Sequence, residues 1–325
     1  MKTMKWVRYG VLLTTIIALL VVVLGAYTRL TDSGLGCPDW PGCYGRLVVP
    51  EVLPVSSPAV LEPRKAWTEM IHRYAAGTLA VCMVVLIAWL VQRRRRQHAG
   101  TWWWPLLLIS LLAFQAALGR WTVTLKLLPL IVMGHLLGGM LIFMCLVRVV
   151  WQFSGISGNY DPKYNRWILF SMVVVFMQVI LGGLVSSNDA GIACIGFPTC
   201  NGHWLPAWRL TDNGLPWREV LGFNVGAWGL DPELKILLQW LHRAWATLTL
   251  VTVLLVSGYG IICSKELLTR ALAWVVFLLI ILQFMLGILN VIYLLPLPVA
   301  VAHNGVAALL LGALISLHYS TLGTK

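Results

Sequence analysis

Charged side chains are scarce in this chain, at 11% of 325 residues, and acidic ones scarcer still, with 12 Asp and Glu against 24 Lys and Arg. Soluble domains carry about a quarter of their residues charged. So little charge beside 59% hydrophobic residues and a mean hydropathy of +0.82 excludes a water-soluble globule. Cysteine is also sparse, at seven residues, too few for a chain stapled throughout by disulfides. The net charge of +12 falls in short stretches between apolar runs, so it is a topology signal rather than the continuous basic patch of a nucleic-acid surface.

What the chain has in quantity is apolar length. Eight segments reach the roughly 20 residues that cross a bilayer core as a helix, at about 9–28, 68–91, 102–121, 131–151, 167–187, 235–257, 271–293 and 299–319. The first, behind Lys2, Lys5 and Arg8, also has the outline of a signal peptide cleaved near Gly25. Its apolar core is long for a signal, and a similar segment recurs mid-chain. Lys2, Lys5 and Arg8, the run 93–96, Lys163 with Arg166, and Lys265 with Arg270 all fall on one side of these spans. The positive-inside rule makes that side cytoplasmic, places both termini there and sends two long loops, about 28–66 and 188–234, outward.

Each long loop carries a cysteine pair with five residues between, Cys37-Pro-Asp-Trp-Pro-Gly-Cys43 and Cys194-Ile-Gly-Phe-Pro-Thr-Cys200. Outside a bacterial inner membrane thiols are oxidised, so two disulfides are expected, Cys37–Cys43 and Cys194–Cys200. Cys82, Cys145 and Cys263 lie in or near apolar spans and read as packing residues. The pairs belong to an internal repeat. Leu24-Gly25, Gly34, Cys37 and Cys43 return at a constant offset as Leu181-Gly182, Gly191, Cys194 and Cys200. Ile71-His72-Arg73 returns as Leu241-His242-Arg243, and Gly119 precedes His135 by sixteen positions as Gly287 precedes His303. A half with four spans ends on the side where it began, so both halves share one orientation. The expected fold is an all-α membrane protein of eight transmembrane helices in two tandem, pseudo-symmetric four-helix bundles, residues 1–157 and 158–325.

Four of the seven histidines, His72, His135, His242 and His303, occupy matching places near the outer ends of spans two, four, six and eight. Any one of them alone reads as a hydrogen-bonded residue at a helix end. Four at repeated positions point to a ligand held in a bundle core, and neutral imidazole is an axial ligand of haem iron. Two pairs then predict two haems. Zinc or copper is poorly supplied, since each half offers two histidines and no carboxylate at ligand spacing in its outward loop. His98, His203 and His318 receive no role. Arg73 and Arg243, beside two of these histidines, are placed either to pair with haem propionates or to snorkel at the membrane surface. The seventeen Trp fit an interfacial belt and porphyrin packing equally well.

The repeat breaks at one informative place. Glu69, three residues before His72 on the same helical face, corresponds to Gln239 before His242. Ionisable groups inside membrane helices are rare and usually functional, so the half with Glu69 is the candidate for chemistry and the half with Gln239 the candidate for holding or relaying electrons. A structural Glu69 paired with Arg73 or Arg64 is the plainer alternative.

The stretch Gly25-Ala-Tyr-Thr-Arg-Leu-Thr-Asp-Ser-Gly-Leu-Gly-Cys-Pro-Asp-Trp-Pro-Gly-Cys43, with Glu69-x-x-His72-Arg73 and the three later histidines, resembles the haem A synthase family along nearly the whole chain. The resemblance implies an oxidoreductase that acts on a methyl group, turning the C8 methyl of haem O into the formyl of haem A by two successive hydroxylations. It implies that His72 and His135 hold substrate haem O, that His242 and His303 hold a haem b cofactor, and that Glu69 is the essential acid. It further implies a multi-pass protein of the bacterial inner membrane surrounded by lipid. Partnership with haem O synthase or quinone, and homo-oligomer formation, stay open. So do two other classes: a diheme b-type quinol-linked electron carrier, against which Glu69 argues, and a transporter of repeated halves, against which the placing of ionisable residues at outer ends argues.

Overall fold

A computed structural model of the chain describes residues 2–51, 61–97, 103–156, 160–206, 217–223 and 230–322, the side chains of 2–5, 94–97, 103 and 217 excepted. Its helices are α1 (Lys2–Leu30), α2 (Pro63–Gln97), α3 (Trp103–Thr124), α4 (Pro129–Ser154), α5 (Pro162–Ser187), α6 (Trp217–Val220), α7 (Pro232–Cys263), α8 (Leu267–Ile292) and α9 (Leu297–Ser320). Among the described residues, all of these but α6 are long and apolar enough to span a membrane, eight in number, matching the eight expected segments. Among the described residues there is no β-strand, only two isolated bridges, Cys43 with Arg46 and Cys200 with His203.

The helices overrun the apolar runs because polar caps start them early. Asp161 accepts from the Tyr164 N–H at the start of α5, and Asp231 from the Glu233 N–H at the start of α7, each followed by a proline that has no N–H to leave unpaired. Helix α4 also starts on a proline and ends at Gly155, whose φ of 69° is the left-handed closure a glycine adopts without a Cβ clash.

Two compact units result. The first comprises Met1–Leu127 with Gly134–Ser154, the second Leu128–Met133 with Gly155–Lys325. The boundary expected at 157/158 lies outside the described residues, as does His98. In the first unit α2 packs on α1 and α3. In the second, α5 packs on α7 and α9, and α8 on α7 and α9, closing a four-helix ring.

Each unit repeats the other in local detail. The α3–α4 turn passes through two left-handed residues, Lys126 and Leu127, and the α8–α9 turn through Leu294 and Leu295. These conformations cost non-glycine residues about 1 kcal/mol each, so packing has to hold them. Gly34 supplies it in the first unit, where an added Cβ would stand 3.1 Å from the Leu127 side chain, and Gly191 in the second, 2.6 Å from Leu295. Asp32 with Asp189, and Tyr44 with Asn201, are further left-handed pairs at matching positions.

Candidate functional site

The four repeated histidines each lie against a glycine of the spanning helix that precedes their own. A Cβ at Gly25 of α1 would come within 3.1 Å of His72 Cε1 on α2, and one at Gly119 of α3 within 3.2 Å of His135 Cε1 on α4. In the second unit, a Cβ at Gly182 of α5 would come within 3.0 Å of His242 Cε1 on α7, and one at Gly287 of α8 within 3.3 Å of His303 Cε1 on α9. Two helices approach closely where one carries no side chain, and the imidazole of the other occupies the groove. This is why the glycine and histidine positions repeat together.

His72 and His135 face each other with ring centroids 6.5 Å apart and planes at 83°. A metal–imidazole bond of about 2 Å on each side fits one ion between two such rings. The Nδ1 atoms of His72, His135 and His303 are buried and have no hydrogen-bond partner among the described residues. Buried ring nitrogens are normally satisfied, so orphans of this kind mark places where a ligand completes the contact. No group of three or more His, Cys, Asp or Glu side chains converges among the described residues, so each imidazole pair needs further ligands from a bound group. A haem would meet that need by supplying ring nitrogens of its own, with these imidazoles as the residues to hold it.

Glu69 is buried at 4% exposure. Its Oε2 accepts from the Cys37 N–H at 2.8 Å, and its Oε1 from Arg73 Nη2 at 2.5 Å. Arg73 Nη1 donates at 2.8 Å to the Asp39 carbonyl and also to the carbonyls of Pro41 and Gly42. Gln239, equally buried, donates to the Gly191 carbonyl at 3.0 Å, and Arg243 donates to the carbonyls of Cys194, Gly196 and Thr199. Both arginines therefore hold the loop that carries their unit's cysteine pair. Neither the propionate nor the snorkelling expectation anticipated that clamp. The loops hold together internally as well: Cys37 is bonded to Cys43 and Cys194 to Cys200, with Cα atoms 4.8 and 4.9 Å apart. Asp39 accepts from the Tyr44 and Gly45 N–H groups, and Asn201 bridges Ala193 and Ile195. Burial pushes the Tyr44 phenol above its usual range, and the Glu62, Asp39 and Glu69 carboxylates push it the same way.

Sequence reasoning passed over three glutamines. Gln115 Nε2 donates to the His135 carbonyl at 2.7 Å, Gln178 Nε2 lies 3.1 Å from His242 Nδ1, and Gln283 Nε2 lies 3.2 Å from His303 Nε2. Each precedes its histidine-facing glycine by four residues, so Gln-x-x-x-Gly at 115–119, 178–182 and 283–287 was the available signal. Of the histidines given no role, His318 pairs with Asn165 and His203 belongs to the bridge at Cys200.

The family model described as cytochrome oxidase assembly protein matches residues 8–315. The chain is 40% identical over 324 residues to the heme A synthase of Shewanella oneidensis, covering 94% of each protein. It is 29% identical over 324 residues to that of Caulobacter vibrioides, covering 90% of this chain and 89% of the relative. A family match over most of the length and a relative this similar from end to end place the chain in the haem A synthase family of cytochrome oxidase assembly proteins.

Proposed function

We propose that this protein is a haem A synthase of a bacterial cytoplasmic membrane, with its termini inside and its cysteine loops outside. The first unit takes haem O between His72 and His135, and the second keeps haem b between His242 and His303. The observation that carries the division of labour is the contrast between Glu69 and Gln239 within otherwise matching surroundings. Converting the C8 methyl to a formyl group inserts one oxygen atom net and removes four electrons, which an external acceptor of the quinone class would receive, with a geminal diol losing water last. Haem b, when bound, supplies one-electron transfer.

Residues of the chain supply the rest. The glycine–histidine contacts orient the imidazoles, and Arg73 and the Cys37 N–H fix the two carboxyl oxygens of Glu69. An ionised carboxylate accepts hydrogen bonds and protons, which the amide of Gln239 does far less readily, so Glu69 manages protons or water at the reacting edge. Arg73 and Arg243 keep the outward loops seated over the helix ends.

The test is a haem extract of protein purified from cells with and without a supply of haem O. A synthase yields oxidised haem only with that supply, alongside haem b. Haem b alone under both conditions would favour the quinol-linked electron carrier.

A further inference from the structure

Every imidazole of the four has a glycine behind it, and three of those glycines follow a glutamine by four residues. The fourth place, four residues before Gly25 on α1, is Val21. His72 is thus the histidine whose preceding helix offers no side-chain hydrogen-bonding group at that level. The glutamines are themselves incompletely satisfied: Oε1 of Gln115, Gln178 and Gln283 is buried with no partner among the described residues. A buried amide oxygen without a donor is costly, so its retention at three matching places calls for a donor. An imidazole that gives one nitrogen to iron carries a hydrogen on the other and needs an acceptor there. Rotating the Gln178 or Gln283 amide by half a turn about its last bond exchanges nitrogen and oxygen and presents that acceptor, at Gln178 in place of its 3.1 Å bond to the His242 carbonyl.

Resting on the reading of the four histidines as haem ligands, we propose that Gln178 and Gln283 are positioning residues, each accepting the imidazole N–H of the histidine it faces, whereas Gln115 holds the His135 backbone carbonyl and Val21 offers His72 no partner. The second unit then grips its haem with two anchored imidazoles, and the first with none held by a side chain. That inequality falls where function requires it: a cofactor stays, whereas a substrate site has to release its product. Gln115 lies flat against α4, where a Cβ at Gly138 would come 2.2 Å from its Oε1, so it fastens the α4 backbone at His135 and not the ring.

The test uses the full-length, detergent-purified, haem-loaded protein with three substitutions, Gln178→Leu, Gln178→Glu and Val21→Gln. Two readouts are taken, the midpoint potential of each haem and the rate of haem loss to excess apomyoglobin. Losing an outer hydrogen-bond partner typically weakens metal binding by about 10–100-fold, so Gln178→Leu should speed haem loss from the second unit by at least about tenfold. A carboxylate acceptor makes the imidazole a stronger donor, so Gln178→Glu should lower the potential of that haem while Gln178→Leu raises it. Val21→Gln should slow haem loss from the first unit. A merely structural glutamine would move the potential the same way in both Gln178 variants or leave it unchanged, and either result overturns the proposal. If the parent protein shows no low-spin haem at all, the ligand reading itself fails and takes the proposal with it. Two low-spin haems in the parent with unshifted variants would remove the glutamine anchors alone.

Discussion

At residue scale, the decisive contrast is between hydrogen-bonding groups at matching places. A glycine-to-alanine change at Gly182 separates packing from ligand placement. The new methyl would stand 3.0 Å from His242 Cε1. Overpacking costs about 1–3 kcal/mol and the gain in helix propensity returns about 1 kcal/mol, so the fold should be little changed. The imidazole must move, and the variant should lose haem from the second unit while melting within a few degrees of the parent. The measurement is Soret absorbance per chain beside a thermal melt, and full haem content would contradict the contact. The histidines, their glycines and the Glu69 to Gln239 break were all legible in sequence, because a repeat makes single residues comparable. The glutamines were not singled out, since one amide in an apolar helix carries no periodic signal until its geometry aligns it with a glycine four residues on.

At the scale of elements, the cysteine loops behave as lids fastened from below by helix side chains. On α2, Arg73 and Tyr74 reach the first loop. On α7, Gln239, Trp240 and Arg243 reach the second. The planar fork of Arg243 serves several carbonyls together, which a lysine point charge does not. Arg243→Lys should therefore increase amide hydrogen exchange across 194–203 by about tenfold or more, as loss of one charge-assisted hydrogen bond worth about 1.5–3 kcal/mol requires. Unchanged exchange would show that the loop holds itself. Removing the Cys194–Cys200 bond with serines should cost about 2 kcal/mol, the loop-closure value for so short a ring, read as a lowered unfolding midpoint. The eight spanning helices were legible from apolar length alone. Helix α6 was not, because four residues make a single turn with no apolar face to recognise. Nor was the clamp by the arginines, since carbonyl acceptors leave no trace in a sequence.

For the whole molecule, the chain divides into two compact units, each with two imidazoles packed against glycines. Haem-loaded protein should contain two low-spin haems per chain, because nitrogen ligation from both faces gives a strong field. A high-spin spectrum after full loading would contradict paired ligation in at least one unit. The account stands or falls on which unit does the chemistry, and Glu69→Gln asks this most directly by making the two units alike at that position. Losing one partner of a buried ion pair costs about 3–5 kcal/mol, so parent and variant are compared at equal folded protein and equal haem content. The measurement is conversion of haem O to haem A by each, with Gln239→Glu alongside. The account predicts that Glu69→Gln retains both haems and loses oxidation by at least about a hundredfold, the usual weight of a positioned acid–base group, while Gln239→Glu adds no second active unit. Conversion by Glu69→Gln at the parent rate would contradict it and leave Glu69 as the fastener of the first loop.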